Sequence, residues 1–120
     1  MGRALALDVY RYSRNFPNHE LYGLTSQIRR AAVSVPANIA EGSGRRGDGE
    51  LLHFLSIASG SLAELRTLAS LAHELGYLPA AAYNELVERA RRLDAALNAF
   101  VAARKRKERG RNGMERTGTE

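Results

Sequence analysis

An antiparallel, up-and-down four-helix bundle of the all-α class is the fold this sequence predicts, and three observations predict it. Apolar residues recur at three- and four-residue steps in four separate segments, and proline or glycine interrupts the pattern between those segments. No stretch shows the strict two-residue alternation of a half-buried strand. Connections of a few residues turn consecutive helices back on one another, so the four apolar stripes share one core. A chain of 120 residues, 44% of them hydrophobic, fits one such domain.

The first helical pattern runs from about Ala4 to Asn15, with Leu5, Val9, Tyr12 and Phe16 on one side. Pro17 disfavours a helical conformation at Phe16 and has no amide hydrogen to donate, so the chain turns there and restarts near Glu20. The second pattern holds Leu21, Leu24, Ile28, Ala32, Val35 and Ile39 in a stripe that passes through Pro36. An interior proline removes one backbone hydrogen bond, which predicts a single helix kinked near Ala32 to Pro36 and ending at Glu41 and Gly42. Residues 42 to 49 contain four glycines and form a loop, with Asp48 as the cap of the next helix.

The third helix carries Leu51, Leu55, Ala58, Leu62, Leu65, Ala69 and Ala72 in alternating steps of four and three, a heptad-like seam. A second strip of Leu52, Leu68, Leu71 and Leu75 widens the face predicted to be buried. Gly76 stops this helix and Pro79 suits the first turn of the fourth. That helix shows Tyr83, Leu86, Val87, Ala90, Leu93, Leu97, Phe100 and Val101, then fades into Arg104 to Lys107. Residues 1–107 are therefore the bundle, and residues 108–120, with three glycines and Met114 as their one apolar residue, are expected to be disordered. The first helix is about half the length of the third, which leaves one groove of a lone bundle poorly covered and points to self-association.

Composition narrows the function classes. There are no cysteines, which removes disulfides, thiolate metal sites and cysteine nucleophiles, and suits a reducing cytosol. No segment approaches the roughly 18 apolar residues of a membrane span, and the opening residues lack a signal peptide's apolar stretch, so the expected location is cytoplasmic with no membrane partner. The net charge of +5 is unevenly placed. Residues 1–103 carry 11 Arg and no Lys against 10 acidic residues, whereas residues 104–120 carry 7 basic against 3 acidic. Most of the excess lies in the tail.

Catalytic and metal chemistry find little footing. Glu50 and His53 form one Glu-x-x-His element, but a di-iron bundle needs two of these and two more inward glutamates, so no metal and no cofactor are expected. His19 and Glu20 lie in the first turn, where capping is the default. The serines have no triad partners at recognisable spacing, and the glycines at 42 to 49 lack the Gly-Lys-Ser/Thr of a phosphate loop. The chain is read as a non-enzyme.

Two surface patterns are more informative. On the second helix Gln27, Arg30, Ser34, Asn38 and Glu41 form a polar stripe about 135° from the mean direction of the buried residues. A third face of Arg29, Val33, Pro36 and Ala40 is too apolar for bulk water, and the third helix offers Ser56, Ser59, Gly60, Ser61 and Glu64. Each of these residues singly suits a solvated face. As a set, Gln27 and Ser34 among them, they suit a subunit interface in which Arg30, Asn38, Glu41 and Glu64 fix register, Val33 and its neighbours bury area, and small residues such as Gly60 and Ser61 permit close approach. The second pattern is basic: Arg29 and Arg30, Arg45 and Arg46, Arg89, Arg91 and Arg92, and the cluster Arg104, Lys105, Arg106, Lys107, Arg109 and Arg111. Such residues contact nucleic-acid phosphates without reading sequence. No aromatic residues interleave with them as stacking platforms. The tail serves either as a binding arm or as a solubility device.

The run from Phe16 to Gly42, FPNHELYGLTSQIRRAAVSVPANIAEG, closely resembles the signature of the bacterial four-helix bundle proteins, also called the 23S rRNA intervening-sequence protein family. The run from Phe54 to Leu65, FLSIASGSLAEL, is similar to that family's third-helix motif, and the two runs cover about a third of the chain. The motif positions here are Gln27, Arg29, Arg30, Ser34, Asn38, Glu41, Gly42, Gly60, Ser61 and Glu64. The resemblance implies a ring-like homopentamer without enzymatic activity. It also implies nucleic-acid binding, since some members are encoded within large-subunit rRNA genes and distant relatives in diversity-generating retroelements bind RNA and a reverse transcriptase. A partner protein of that kind, with the ring as a scaffold, is the alternative role. The chain departs from the family in having no Trp and a start that matches the middle of the usual first helix, which suggests that the start is assigned late.

Overall fold

Four α-helices account for nearly the whole chain: α1 Arg3–Ser13, α2 Leu24–Ser43, α3 Asp48–Glu74 and α4 Ala80–Gly118. In this computed structural model the backbone is described for residues 1–118 and the side chains for residues 1–111, and no strand occurs among them. The core is one cluster drawn from all four helices, with Ile28, Val35, Leu62 and Leu65 among its fully enclosed side chains.

The first helix buries Leu5, Val9 and Ser13 at four-residue steps, one stripe of a short amphipathic helix. Polar ties fix it to α4. Arg89 donates to Asp8, and the Tyr12 hydroxyl donates to Glu85 at 3.0 Å. Loss of water around the Tyr12 ring, followed by that bond to Glu85, raises the phenol's pKa above its ordinary value. After Ser13 the chain turns, and Phe16 is buried with its ring 5.8 Å from that of Tyr77.

The restart corrects the sequence expectation. A single 3-10 turn, Asn18–Glu20, comes first, and α2 begins only at Leu24, so Leu21 lies outside the buried stripe and is 48% exposed. Gly23, at φ −111° and ψ −113°, is outside helical geometry and separates the two pieces. The Glu20 carboxylate then accepts from the Leu24 amide at 3.5 Å, the capping role expected of this turn. From there α2 continues unbroken through Pro36, as one helix.

The loop before α3 is shorter than residues 42 to 49, because Gly42 and Ser43 are still helical. Gly47, not Asp48, is the cap. Its φ of +95° is a conformation open to glycine and strained for aspartate, so Asp48 becomes the first helical residue. Its carboxylate instead accepts from Arg104 at 3.2 Å.

In α3 the seam from Leu55 to Ala72 is buried as its spacing predicts, but the second strip divides. Leu68 is buried, while Leu71 is 46% and Leu75 56% exposed, because no helix covers that side of α3. The end of α3 is a Schellman motif: Gly76, at φ +82°, donates to the His73 carbonyl at 3.0 Å and Tyr77 donates to that of Ala72 at 2.9 Å.

The fourth helix buries Leu86, Ala90 and Leu97. It then continues to Gly118, through the segment where the sequence suggested fading and disorder. Residues 119–120 lie outside the described residues. No proline interrupts residues 80–118, and the Arg, Lys and Glu that dominate 104–109 are good helix formers.

Positions late in α2 lie against positions early in α3. The Ser34 and Ser61 hydroxyls meet at 2.8 Å, and a Cβ on Gly42 would stand 2.9 Å from that of Phe54. Likewise Ser59 donates to Asp94 at 2.6 Å while Arg104 reaches Asp48, so numbers fall along α4 as they rise along α3. An apolar recess of about 400 Å³ is lined by Met1, Ile39, Leu51, Leu55, Leu97 and Phe100.

Gly42 supplies the first prediction. Alanine in place of an unconstrained helical glycine raises stability by about 1 kcal/mol, whereas overpacking costs about 1–3 kcal/mol. Gly42→Ala should therefore lower the urea midpoint, and an increase would show that α2 and α3 are not in close contact here.

Candidate surfaces for self-association and nucleic acid

The polar stripe of α2 divides into an inner and an outer part. Ser61 is buried, and its hydroxyl shares a hydrogen bond with that of Ser34. Asn38 donates from Nδ2 both to the Ser34 carbonyl at 2.8 Å and to the Ser34 hydroxyl at 2.9 Å. Ser34, Asn38 and Ser61 thus form a brace between α2 and α3 within one chain. Gln27, Arg30 and Glu64 are exposed around the same seam and, with Ser34 and Ser61, line a shallow recess of about 330 Å³. Glu41 stands apart, in an ion pair with Arg45.

Apolar groups on α2 and α3 also stand exposed among the described residues. Val33 is 43% and Ile57 37% exposed, and Leu71 and Leu75 continue the exposure along α3. Gly60 belongs to the same side. A Cβ built there would meet no atom within 4 Å, so nothing within the subunit requires a glycine in the middle of a 27-residue helix. Of these residues, Val33 and Gly60 are expected at the surface from the sequence, Ile57 is not singled out by it, and the spacing of Leu71 and Leu75 predicts burial that the structure does not show. A signal was present, because at 100° per residue Ile57, Leu71 and Leu75 lie about 110° to 150° from the centre of the α3 seam.

The arginines separate by environment. Arg29 donates from Nε to the buried Ser13 hydroxyl at 2.8 Å and lies over the Tyr10 ring at 4.8 Å. Arg45 pairs with Glu41 and covers the Phe54 ring, and Arg104 pairs with Asp48 and covers the Phe100 ring. These three have partners within the chain. Arg30, Arg46, Lys105, Arg106 and Lys107 are exposed and make no ion pair among the described residues. Since Asp48 binds Arg104, the loop bearing Arg45 and Arg46 and the cluster from Arg104 to Lys107 occupy one end of the bundle. Arg29 and Arg30 lie well down α2, about 20 Å from that end at 1.5 Å per residue.

Glu50 and His53 are both exposed at the start of α3, and no group of three or more His, Cys, Asp or Glu side chains suited to a metal occurs among the described residues. No described helix is long and apolar enough to cross a membrane.

A family model described as 23S rRNA-intervening sequence protein matches residues 1–99, a span that stops short of the basic cluster at 104 to 111. No curated protein matches the chain. Among solved structures, one from Bacteroides thetaiotaomicron, a protein of unknown function from the S23 ribosomal protein family, superposes with a TM-score of 0.77. At 18% identity, over 83% of this chain and 94% of that one, the likeness is one of fold.

The serine brace gives the second prediction. Removing the Ser34 hydroxyl strands that of Ser61, whereas removing Ser61 leaves Ser34 the bond from Asn38, so in urea unfolding Ser34→Ala should cost about 1–2 kcal/mol and Ser61→Ala about 1 kcal/mol. The double variant should cost about 1 kcal/mol less than their sum. Strict additivity would mean that the two hydroxyls do not meet.

Proposed function

From the premise that the chain belongs to the 23S rRNA-intervening sequence protein family, we propose that it is a non-enzymatic, oligomeric adaptor that binds RNA or DNA through phosphate contacts in the cytoplasm. The observation that carries this reading is the segregation of charge. The bundle spends Arg29, Arg45 and Arg104 on internal contacts, while Lys105, Arg106 and Lys107 stand exposed on a helix that continues past it. Cations so placed attract a polyanion and release its counterions on binding.

Self-association is the second half of the reading. The face formed by Val33, Ile57, Gly60, Leu71 and Leu75, with Gln27, Arg30 and Glu64 beside it, has the apolar centre and polar margin of a subunit interface. Gly60 supports it best, since an exposed mid-helix glycine costs about 1 kcal/mol relative to alanine and is explained by a second backbone approaching closely. The assembly we propose is a closed ring, a pentamer as the family resemblance implies, in which each copy lays this face on its neighbour. Such a ring brings five basic arms together, which multiplies weak phosphate contacts into stable retention.

Two measurements check these halves separately. Affinity for a nucleic acid should fall steeply with salt, and deleting residues 104–120 should flatten the dependence; a slope unchanged by the deletion would move the contacts to the bundle. Absence of any retention at low salt would favour a scaffold for a partner protein. Gly60→Leu should lower the assembly's sedimentation coefficient to that of smaller species while leaving the helical signal intact. Unchanged sedimentation would remove Gly60 from the interface.

A further inference from the structure

The fourth helix outlasts the rest of the bundle. Among the described residues its last polar tie to another helix is Arg104, which reaches Asp48 at the very start of α3, and Ser43, the last residue of α2, lines the same recess as Arg104. Lys105 still borders a recess shared with Gly49, Leu52 and His53 of α3, and residues 106–111 continue beyond it; all seven residues from 105 to 111 are exposed. Five of the seven are Lys or Arg, and Glu108 is their one acidic residue. None of the five makes an ion pair among the described residues.

The direction of these charges is as informative as their number. With Lys105 set at 0°, steps of 100° per residue place Arg109 at about 40°, Arg106 at about 100°, Lys107 at about 200° and Arg111 at about 240°. The cations surround the helix axis. A helix that lies along a single row of phosphates, or on a flat anionic surface, can use the charges of one side only. A helix with charge all round suits a slot whose two walls are both anionic.

The major groove of B-form DNA is such a slot. It is about 12 Å wide, has a phosphate row on each side, and admits an α-helix whose diameter with side chains is about 10–12 Å. The corresponding groove of A-form RNA is too narrow for side chains to enter. Unpaired strands call for aromatic platforms, and residues 105–111 contain none. They also contain no Asn or Gln, the side chains that pair with adenine.

We infer that the projecting end of α4 is a groove-inserting arm, in which Lys105 to Arg111 enter the major groove of double-stranded DNA and contact phosphates on both walls. This rests on the nucleic-acid reading above and names its substrate. The contacts are to backbone, so binding is indifferent to sequence. Because residues 105–111 are all exposed, their charges can be changed without disturbing the core.

The test uses the full chain and fluorescently labelled 20-base-pair DNA duplex, 20-base-pair RNA duplex and single-stranded DNA, titrated by anisotropy at several salt concentrations. Two double variants remove charge from opposite sides of the helix: Lys105→Gln with Arg109→Gln, and Lys107→Gln with Arg111→Gln. The DNA duplex should bind most tightly, both variants should weaken it by comparable factors, and each should reduce the magnitude of the log–log salt slope by about 1.8 for two lost contacts. Equal or tighter binding of the RNA duplex or the single strand would overturn the inference, as would a loss confined to one variant, which marks a one-sided contact. Binding that neither variant alters would overturn the arm but leave the broader nucleic-acid reading standing. No binding of any probe by the unaltered chain would overturn both.

Discussion

The hydroxyls of Ser34 and Ser61 meet at 2.8 Å, a separation that two helices reach only where the residues between them are small. Ala31, Ala32, Gly42, Ala58 and Ser61 provide that clearance, and all five are buried. The close seam of α2 and α3 is the constraint on which the remaining helices depend. It sets the trough into which α1 lays Leu5 and Val9, and it holds Leu62 and Leu65 at the height where Leu86, Ala90 and Leu97 of α4 complete the core. A seam of small residues gains little from apolar area by itself. Its hydroxyls would be costly to bury unpaired, so their mutual hydrogen bond, with Asn38 as a third member, is what makes close approach stable.

Unequal helix lengths on that common seam produce the surfaces that matter for function. An apolar recess bordered by Met1, Leu51, Leu97 and Phe100 opens between α3 and α4. At the same end the much longer α4 runs past its partners and carries its cations with it. Charge follows the same division. Acidic side chains of the bundle hold Arg89, Arg45 and Arg104 in place, so the folded part is nearly neutral and the excess is displaced onto the free helix.

The parts of this architecture that could be read from residue order are those governed by local periodicity. The α3 seam from Leu55 to Ala72 repeats at heptad-like steps, and Gly76 ends it with the positive φ that a Schellman motif requires. What could not be read depends on neighbours distant in sequence. Periodicity states which side of a helix is apolar without stating whether anything lies opposite, which is why Leu21, Leu71 and Leu75 were placed in the core and stand exposed. Asp48 is the better capping residue by preference, yet the chain needs φ of +95° at that corner, and Gly47 takes the position. Arg29, Arg45 and Arg104 look equivalent to Arg30, Arg46 and Arg106 until their partners Ser13, Glu41 and Asp48 are brought beside them.

The central claim is that this chain is one subunit of a ring that retains nucleic acid on its basic arms. The most direct measurement is to purify the protein from cells without nuclease treatment and record its light-scattering mass together with its absorbance ratio at 260 and 280 nm. A ring holding nucleic acid should show a mass several times that of the 13.2 kDa chain and an absorbance ratio well above that of protein alone, falling at high salt. A single 13.2 kDa species with the absorbance of pure protein would contradict the claim.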